Sequence, residues 1–589
     1  MLQAGMYRAP LLAALAAMVV LMFSVVSRPA PVRSGTAADA FDGARAASLA
    51  GNLVELAPDR TPGSRDDSTA ADLVAQRFRG VQGGQVSEQT FGGSFDGDDV
   101  QMRNVTLVLP GSKSDERIVL VAPRDCGEGP CAASSAASTA ALMELADNFN
   151  GTRHRKTLVL VSTDGSVAGA AGARLLADAL ETEPAEAVVV ISQPGSVDES
   201  QPFVVPWSAG PQSTSTQLLE SASAAVESEA AEGAITPGTL AGLFRLAIPS
   251  GLGEQAVLIQ HGADAIGISS AGDRPLPVAD DGLDSLSANT LGNFGRATLS
   301  LTMALDVAGE PLEHGPHAYV PLAGKLIPGW ALALLAATLL LPIGIVSVDG
   351  LARASRRNEP VLRTLAWVLG RATPFLGGLV AAYVMALLGL VPSPDFPFDP
   401  QSESFDIGAA LALLVLIGSF VAALVFTRRL AAPAGAQEAI APSVGLAAFL
   451  GAAFIWVVNP YFALLLVPAV HLWTGAALPE TRGRIATPLV AAGLGLLLPL
   501  LALASLASSL GVGLEVPWQL LLMFTGHHFG LLAAVPLCVL AGCLVAVIEL
   551  ALSRREPSPR QPVLSGIGRH PGPGSLGGPP SRATPGHKF

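Results

Sequence analysis

Residues 118–149 read IVLVAPRDCGEGPCAASSAASTAALMELADNF. The uninterrupted apolar run from Ile118 to Ala122, closed by Pro123, is the pattern of a strand buried on both faces. From Ser138 the apolar residues recur at helical spacing, so a helix is expected over 138–148. Strand, loop and helix in this order make one unit of an open α/β sheet. The loop at the carboxyl end of such a strand is where ligands and catalytic groups gather. This loop carries Ala, Ser, Gly and two Cys, and almost nothing that binds a metal or moves a proton.

The same punctuation extends outward. The apolar strands NVTLVLPG, KTLVLVST and AVVVIS alternate with helices expected at 66–78, 168–180, 214–231 and 287–305. This predicts an α/β fold with a mostly parallel sheet sandwiched by helices.

Composition adds a second half. Of 589 residues, 50% are hydrophobic and only 14% charged, and the mean hydropathy is +0.48, too apolar for a soluble chain of this length. A spanning helix needs about 20 apolar residues. Runs approaching that length occur at 11–26, 327–346, 375–391, 407–426, 441–458, 461–477, 488–510 and 529–548, which predicts an α-helical polytopic membrane domain and about eight spans in total. Arg353, Arg356, Arg357, Arg363 and Arg371 follow the second run; Arg428 and Arg429 the fourth; Arg482 and Arg484 the sixth; Arg554 and Arg555 the eighth. The loop VPSPDFPFDPQSESFD is acidic. Basic loops stay in the cytoplasm, so every second loop and both termini are expected there, with the polar domain outside.

The expected organisation is an anchor (1–28), a tether (29–44), an extracytoplasmic domain (45–311), a linker (312–326), about seven membrane helices (327–552) and a disordered cytoplasmic tail (553–589). A cleaved signal peptide is the alternative for the first run; the closed alternation of basic loops favours the anchor. The scarcity of Lys beside Arg suggests a GC-rich bacterial genome, and hence a bacterial plasma membrane.

Three stretches carry a resemblance: RTPGSRDDSTAADLVAQRF (60–78), TAALMELA (139–146) and TDGSVAGAAGARLLA (163–177). Over 53–308 the chain resembles the family-28 zinc metallopeptidases, the aminopeptidase Y-like exopeptidases. The resemblance implies a zinc-exopeptidase-like fold and a two-zinc centre, whose ligands lower the pKa of a bound water. Carried across, the first His ligand falls on Pro123 and the Asp beside it on Asp125. The bridging Asp falls on Ser134, the Glu pair on Ser166 and Val167, a later Asp near Ser192, and the last His near Asp280. Pro has no donor side chain, Val has no lone pair, and Ser is a poor zinc ligand. The expectation is a peptidase-like domain that has lost its metal chemistry, with no metal and no cofactor.

Other residues admit plainer readings. Asp125 and Asp164 are expected to hydrogen-bond their loops, with Arg124 placed to neutralise Asp125. Cys126 and Cys131 flank GEGP and are expected to form a disulfide outside the cytoplasm. Cys538 and Cys543 read as small apolar residues of the last span. His261 reads as a helix-terminal residue, and His527 and His528 as an interfacial pair. Asn104 and Asn150 match the glycosylation sequon, which a bacterial chain leaves unused. Ionisable groups are almost absent from the spans, His471 being the main exception, which argues against a transporter.

One span, a peptidase-like domain and about seven further spans form a layout similar to the attachment subunit of the glycosylphosphatidylinositol transamidase. This implies a scaffold that binds a protein, peptide or lipid-linked partner without cleaving it, in contact with membrane lipid and with no nucleic acid. A divergent active zinc aminopeptidase and a transporter with an accessory domain remain the alternatives.

Overall fold

The computed structural model describes residues 8–33, 40–230, 238–398, 400, 407–427, 436, 438–481 and 486–552. Arg428, Arg429, Arg482, Arg484, Arg554 and Arg555, the tail 553–589, part of the tether (34–39) and part of the acidic loop (399 and 401–406) lie outside these residues.

The chain begins with α1 (Arg8–Phe23) and β1 (Val26–Ser27). The α/β domain then runs through α2 (Gly43–Leu56), α3 (Arg65–Arg79), β2 (Gln85–Phe95), β3 (Asp98–Leu109), β4 (Lys113–Pro123), α4 (Ala137–Asn148) and β5 (Lys156–Thr163). It continues with α5 (Ala171–Thr182), β6 (Ala187–Ile191), β7 (Val204–Val205), α6 (Thr216–Ala230), α7 (Thr239–Ala247), α8 (Glu254–Gln260), β8 (Ala265–Ile268) and α9 (Ala288–Val307).

Strands β2 to β8 form one sheet in the order β2-β3-β5-β4-β6-β8-β7. The apolar run Ile118–Ala122 lies in the central strand β4, and its alternating side chains serve two cores. Ile118, Leu120 and Ala122 join one core with Leu142, Leu158 and Phe294. Val119 and Val121 join the other with Val159, Ala173 and Val257.

The sheet is mixed, not mostly parallel. β4 pairs parallel with β5 and β6, and β6 with β8, but β2–β3, β3–β5 and β7–β8 are antiparallel. The β2–β3 hairpin turns at Asp96–Gly97, both at positive φ (51° and 82°). Asp-Gly between strands is a strong hairpin signal because that turn needs positive φ at both residues; the βα alternation obscured it.

The apolar half comprises β9 (Tyr319–Leu322), β10 (Lys325–Pro328), α10 (Gly329–Arg356), α11 (Val361–Gly370), α12 (Thr373–Leu387) and α13 (Ile407–Thr427). It ends with α14 (Ile440–Val458), α15 (Pro460–Ala476), α16 (Ala486–Leu510), α17 (Val516–Thr525) and α18 (Leu531–Leu552). Each expected span coincides with a helix, but among the described residues six are long and apolar enough to cross a membrane, with α11 and α12 counted as one segment, Val361–Leu387. The apolar stretch of α1, together with α15 and α17, is shorter. At about 1.5 Å per residue the 17 residues of α15 fall somewhat short of a hydrocarbon core about 30 Å thick.

Two expected connectors are structured. The 312–326 linker carries β9 and the start of β10, and β10 pairs with β1 through Val26–Leu326 and Ser27–Lys325. The exit of α1 is thereby tied to the entrance of α10. The basic stretch after the second span forms the last turns of α10 and all of α11, whose Thr364, Trp367 and Val368 are buried at helical spacing. Arg371 is buried as well; it pairs with Glu549 at 2.8 Å and donates to the Thr427 carbonyl at 2.7 Å.

The α/β domain rests on one face of the helical half. Arg174 donates to the Phe396 carbonyl, Asn459 to the Leu246 carbonyl, and His528 Nε2 to the Pro249 carbonyl at 2.9 Å. The segments around Phe396, Asn459 and His528 therefore emerge on the same side of the bundle.

Candidate functional site

β4 and β5 end side by side, with Pro123 paired to Thr163, and the loops beyond them are fastened together. Arg124 N–H donates to the Thr163 carbonyl at 3.0 Å. The carboxylate of Asp125 accepts the N–H groups of Ser166 and Val167, both at 2.9 Å. Asp125 thus holds the second loop by its backbone.

The Arg124 guanidinium lies fully buried beneath these loops. It contacts Asp67 in bidentate fashion, Nε to Oδ1 at 2.9 Å and Nη2 to Oδ2 at 3.1 Å. It also pairs with Asp164 at 3.2 Å and donates to the Arg103 carbonyl at 2.9 Å. Its acidic contacts are therefore Asp67 and Asp164, rather than the adjacent Asp125. Asp67 arrives from the first turn of α3, where Ser64 caps its N–H at 3.0 Å. Asp164 also accepts from Arg103 N–H at 2.8 Å.

A second buried guanidinium, Arg60, supports the cysteine loop. It donates to the carbonyls of Arg124 (3.1 Å), Ala57 (2.8 Å) and Pro130 (3.0 Å) and to the Ser135 hydroxyl (3.0 Å). Burial lowers its pKa to about 10. Cys126 and Cys131 are joined by a disulfide with a Cα–Cα distance of 6.2 Å.

Ser134 lies in a π-helical turn, Ala132–Ala136, that leads into α4. The acid facing it is Asp281, which accepts from the N–H groups of Ala133 (2.8 Å) and Ser134 (3.0 Å) and from the Ser134 hydroxyl. Asp280, where the resemblance placed the last ligand, is exposed. Asp281 rather than Asp280 faces Ser134 because in the short 3-10 turn Val278–Asp280 one residue reverses inside and outside. Ser192 stands at the end of β6, its N–H bonded to the Ile268 carbonyl at 2.9 Å.

Four acids here, Asp125, Asp164, Glu254 and Asp281, have raised pKa values, in each case chiefly through burial. Asp125 is pushed up to about 6, and Asp164 and Glu254 up to about 8. Glu254, at the start of α8, accepts from the Thr163 hydroxyl at 2.9 Å.

The positions that the resemblance assigns to zinc ligands do not fit zinc. Pro123 and Val167 offer no donor atom, Ser134 is engaged with Asp281, and the Asp125 oxygens are engaged with amides. Among the described residues no three His, Cys, Asp or Glu side chains converge as metal ligands. The arrangement can hold its loops rigid through internal ion pairs. Arg60, Asp67, Glu254 and Asp281 escaped the sequence reading. Arg60 and Asp67 lay inside the quoted RTPGSRDD, but their partners come from other elements.

The remaining candidates take structural places. His261 is exposed at the end of α8, where its ring bonds the Val257 carbonyl at 2.8 Å. Asn104 is buried and donates to the Gly172 carbonyl at 2.9 Å, so its sequon is inaccessible in the fold. His528 stacks on Phe396, with centroids 3.9 Å apart.

The helical half comes close to this site. Arg174 bridges the Gly169 carbonyl, at 2.8 Å, and the Phe396 carbonyl. Gly169 has φ +65°, and a Cβ there would stand 2.6 Å from that of Asp395. The loop after β5 and the loop after α12 therefore meet at a residue that must be glycine.

No family model matches the chain, and no curated protein matches it. Its amino-terminal half is similar to solved structures. An Acidobacteriales bacterium glutaminyl cyclase shows 19% identity and a TM-score of 0.37, the match covering 47% of this chain and 97% of that one. A Porphyromonas gingivalis glutaminyl cyclase shows 18% identity and a TM-score of 0.35, covering 45% and 98%. The Legionella pneumophila LapA aminopeptidase shows 13% identity and a TM-score of 0.39, covering 47% and 76%. The structural neighbours of the α/β domain are thus glutaminyl cyclases and exopeptidases.

Proposed function

We propose that the chain is a non-catalytic, metallopeptidase-like integral membrane protein. Its α/β domain lies on the extracytoplasmic side and binds a protein, peptide or lipid-linked partner without cleaving it. The observation that carries this reading is the Arg124 guanidinium, buried between Asp67 and Asp164 directly under the positions of the expected zinc ligands. A fixed positive charge there satisfies the acids internally and repels a divalent cation. The Ser166 and Val167 side chains supply neither a base nor a ligand.

The test uses the full-length protein in detergent. Elemental analysis is expected to find substoichiometric zinc. Assays with added zinc, cobalt or manganese are expected to show neither aminopeptidase nor glutaminyl cyclase turnover. Stoichiometric metal together with hydrolysis abolished by Asp125→Ala would overturn the reading.

A further inference from the structure

Beyond the β7 edge of the sheet, α7, the β9–β10 hairpin and the 206–213 loop surround a small, partly enclosed cavity of about 40 Å³. It lies several strands away from the Arg124 cluster and shares no residue with it. Its walls are largely apolar, with Leu219, Leu246 and Tyr319 among them, and two arginines far apart in the chain, Arg28 and Arg245, enter it.

Arg28 is held by Glu220 at 3.1 Å. Arg245 is held by Asp273 at 2.9 Å and stacks over Trp207, 4.2 Å from the ring centroid. Each guanidinium has five N–H donors, so one carboxylate contact orients the group and leaves donors for a ligand. Arg28 Nε, Trp207 Nε1 and Gln212 Oε1 are buried with no hydrogen-bond partner among the described residues. Unmade buried hydrogen bonds cost about 1–3 kcal/mol each. Two of the three atoms are donors, which an anion would satisfy.

The position selects the kind of anion. Arg28 follows α1 through β1, and Leu326, also in the lining, pairs with Val26 and precedes α10. With α1 and α10 read as membrane helices, the cavity stands at the level where both leave the bilayer. Phe23 (86% exposed) and Trp330 (56% exposed) project at that level, as interfacial aromatic residues do. A charged group seated there can remain attached to an acyl chain lying beside α1 and α10.

We propose that this cavity binds the phosphate-bearing head of an anionic amphiphile, with Arg28 and Arg245 as the phosphate ligands and Trp207 Nε1 as a neutral donor. The site lies apart from the Arg124 cluster, so the proposal holds whether or not that cluster is catalytic.

The test is native mass spectrometry of the full-length protein released from detergent, with phosphatidic acid, phosphatidylcholine, glycerol phosphate or inorganic phosphate added separately. Wild type is expected to retain one phosphatidic acid, and each Arg→Gln change (Arg28→Gln, Arg245→Gln) is expected to weaken retention about tenfold, as loss of a charged hydrogen bond does. Trp207→Phe, which removes one N–H and keeps the ring, is expected to give a smaller loss of the same sign and serves as the check if an arginine variant unfolds. Equal retention by wild type and by folded variants would overturn the site. Equal retention of phosphatidylcholine would overturn the anionic assignment, and equal binding of inorganic phosphate would overturn the amphiphile.

Discussion

Asn459 Nδ2 donates to the carbonyls of Leu246 at 2.9 Å and Ala247 at 3.1 Å, joining the break between α14 and α15 to the end of α7. The same side chain caps α15, its Oδ1 accepting from Tyr461 and Phe462 N–H at 3.0 Å each. Asn459→Asp keeps the cap and removes the donors, whereas Asn459→Ala removes both. Hydrogen exchange of 239–250 should accelerate in both variants, and α15 should fray only in Asn459→Ala, where the lost cap is worth about 1 kcal/mol. Unchanged protection of 239–250 in both would mean that this contact does not hold the two halves together.

Removing Arg124 leaves Asp67 and Asp164 facing each other without their cation. Breaking a buried pair from one side costs about 3–5 kcal/mol, so Arg124→Met should lower stability by that order in chemical unfolding. A double-mutant cycle separates the partners. Coupling of Arg124 with Asp67→Asn should exceed coupling with Asp125→Asn, because Asp125 spends its oxygens on amides. The reverse order would contradict the assignment of partners.

Glu254 holds its proton more tightly in the fold, with a pKa of about 8 against an ordinary 4.5, because it is buried. A raised pKa means that the stability tied to this group is fully present below about pH 4.5 and is lost as pH climbs through about 8. Asp164 acts in the same direction. Melting temperatures should therefore fall between about pH 5 and about pH 9, and Glu254→Gln should flatten part of that slope. A slope identical to wild type would show that Glu254 is not the buried proton carrier.

The segments near Phe396 and Asn459 lie on the face that carries the α/β domain, and the α10–α11 junction at Asn358 lies at the other end of α10 from β10. Reporter fusions within 393–398 should give the opposite compartment from fusions after Arg357, Arg429, Arg484 and Arg555. A shared compartment for Arg357 and the 393–398 loop would break the alternation.

The Cys126–Cys131 bond closes a short loop already held by Arg60. Non-reducing mass spectrometry of protein from native membranes should find the two joined. Replacing both by Ser should cost up to about 2 kcal/mol, since short loops have little closure entropy to lose. Finding both thiols alkylatable in fresh protein would remove the bond from the native state.

The sequence by itself determined the β4–loop–α4 unit and the places of the apolar helices. Those follow from residues adjacent in the chain, because a run such as Ile118–Ala122 or a string of Leu and Ala sets local periodicity and burial. It also showed that Pro123 and Val167 cannot bind a metal, which is a matter of side-chain chemistry alone. Tertiary structure decided the rest. Arg124 could be seen beside Asp125, but its partners Asp67 and Asp164 come from other elements, and only packing brings them within 3.2 Å. Asp281 rather than Asp280 faces Ser134 because a one-residue step around a tight turn exchanges core for solvent. The β2–β3 hairpin made the sheet mixed, and the contact of Asn459 with Leu246 spans 213 positions. Contacts at such separations depend on which surfaces meet after every element has formed, and no local pattern of residues records that.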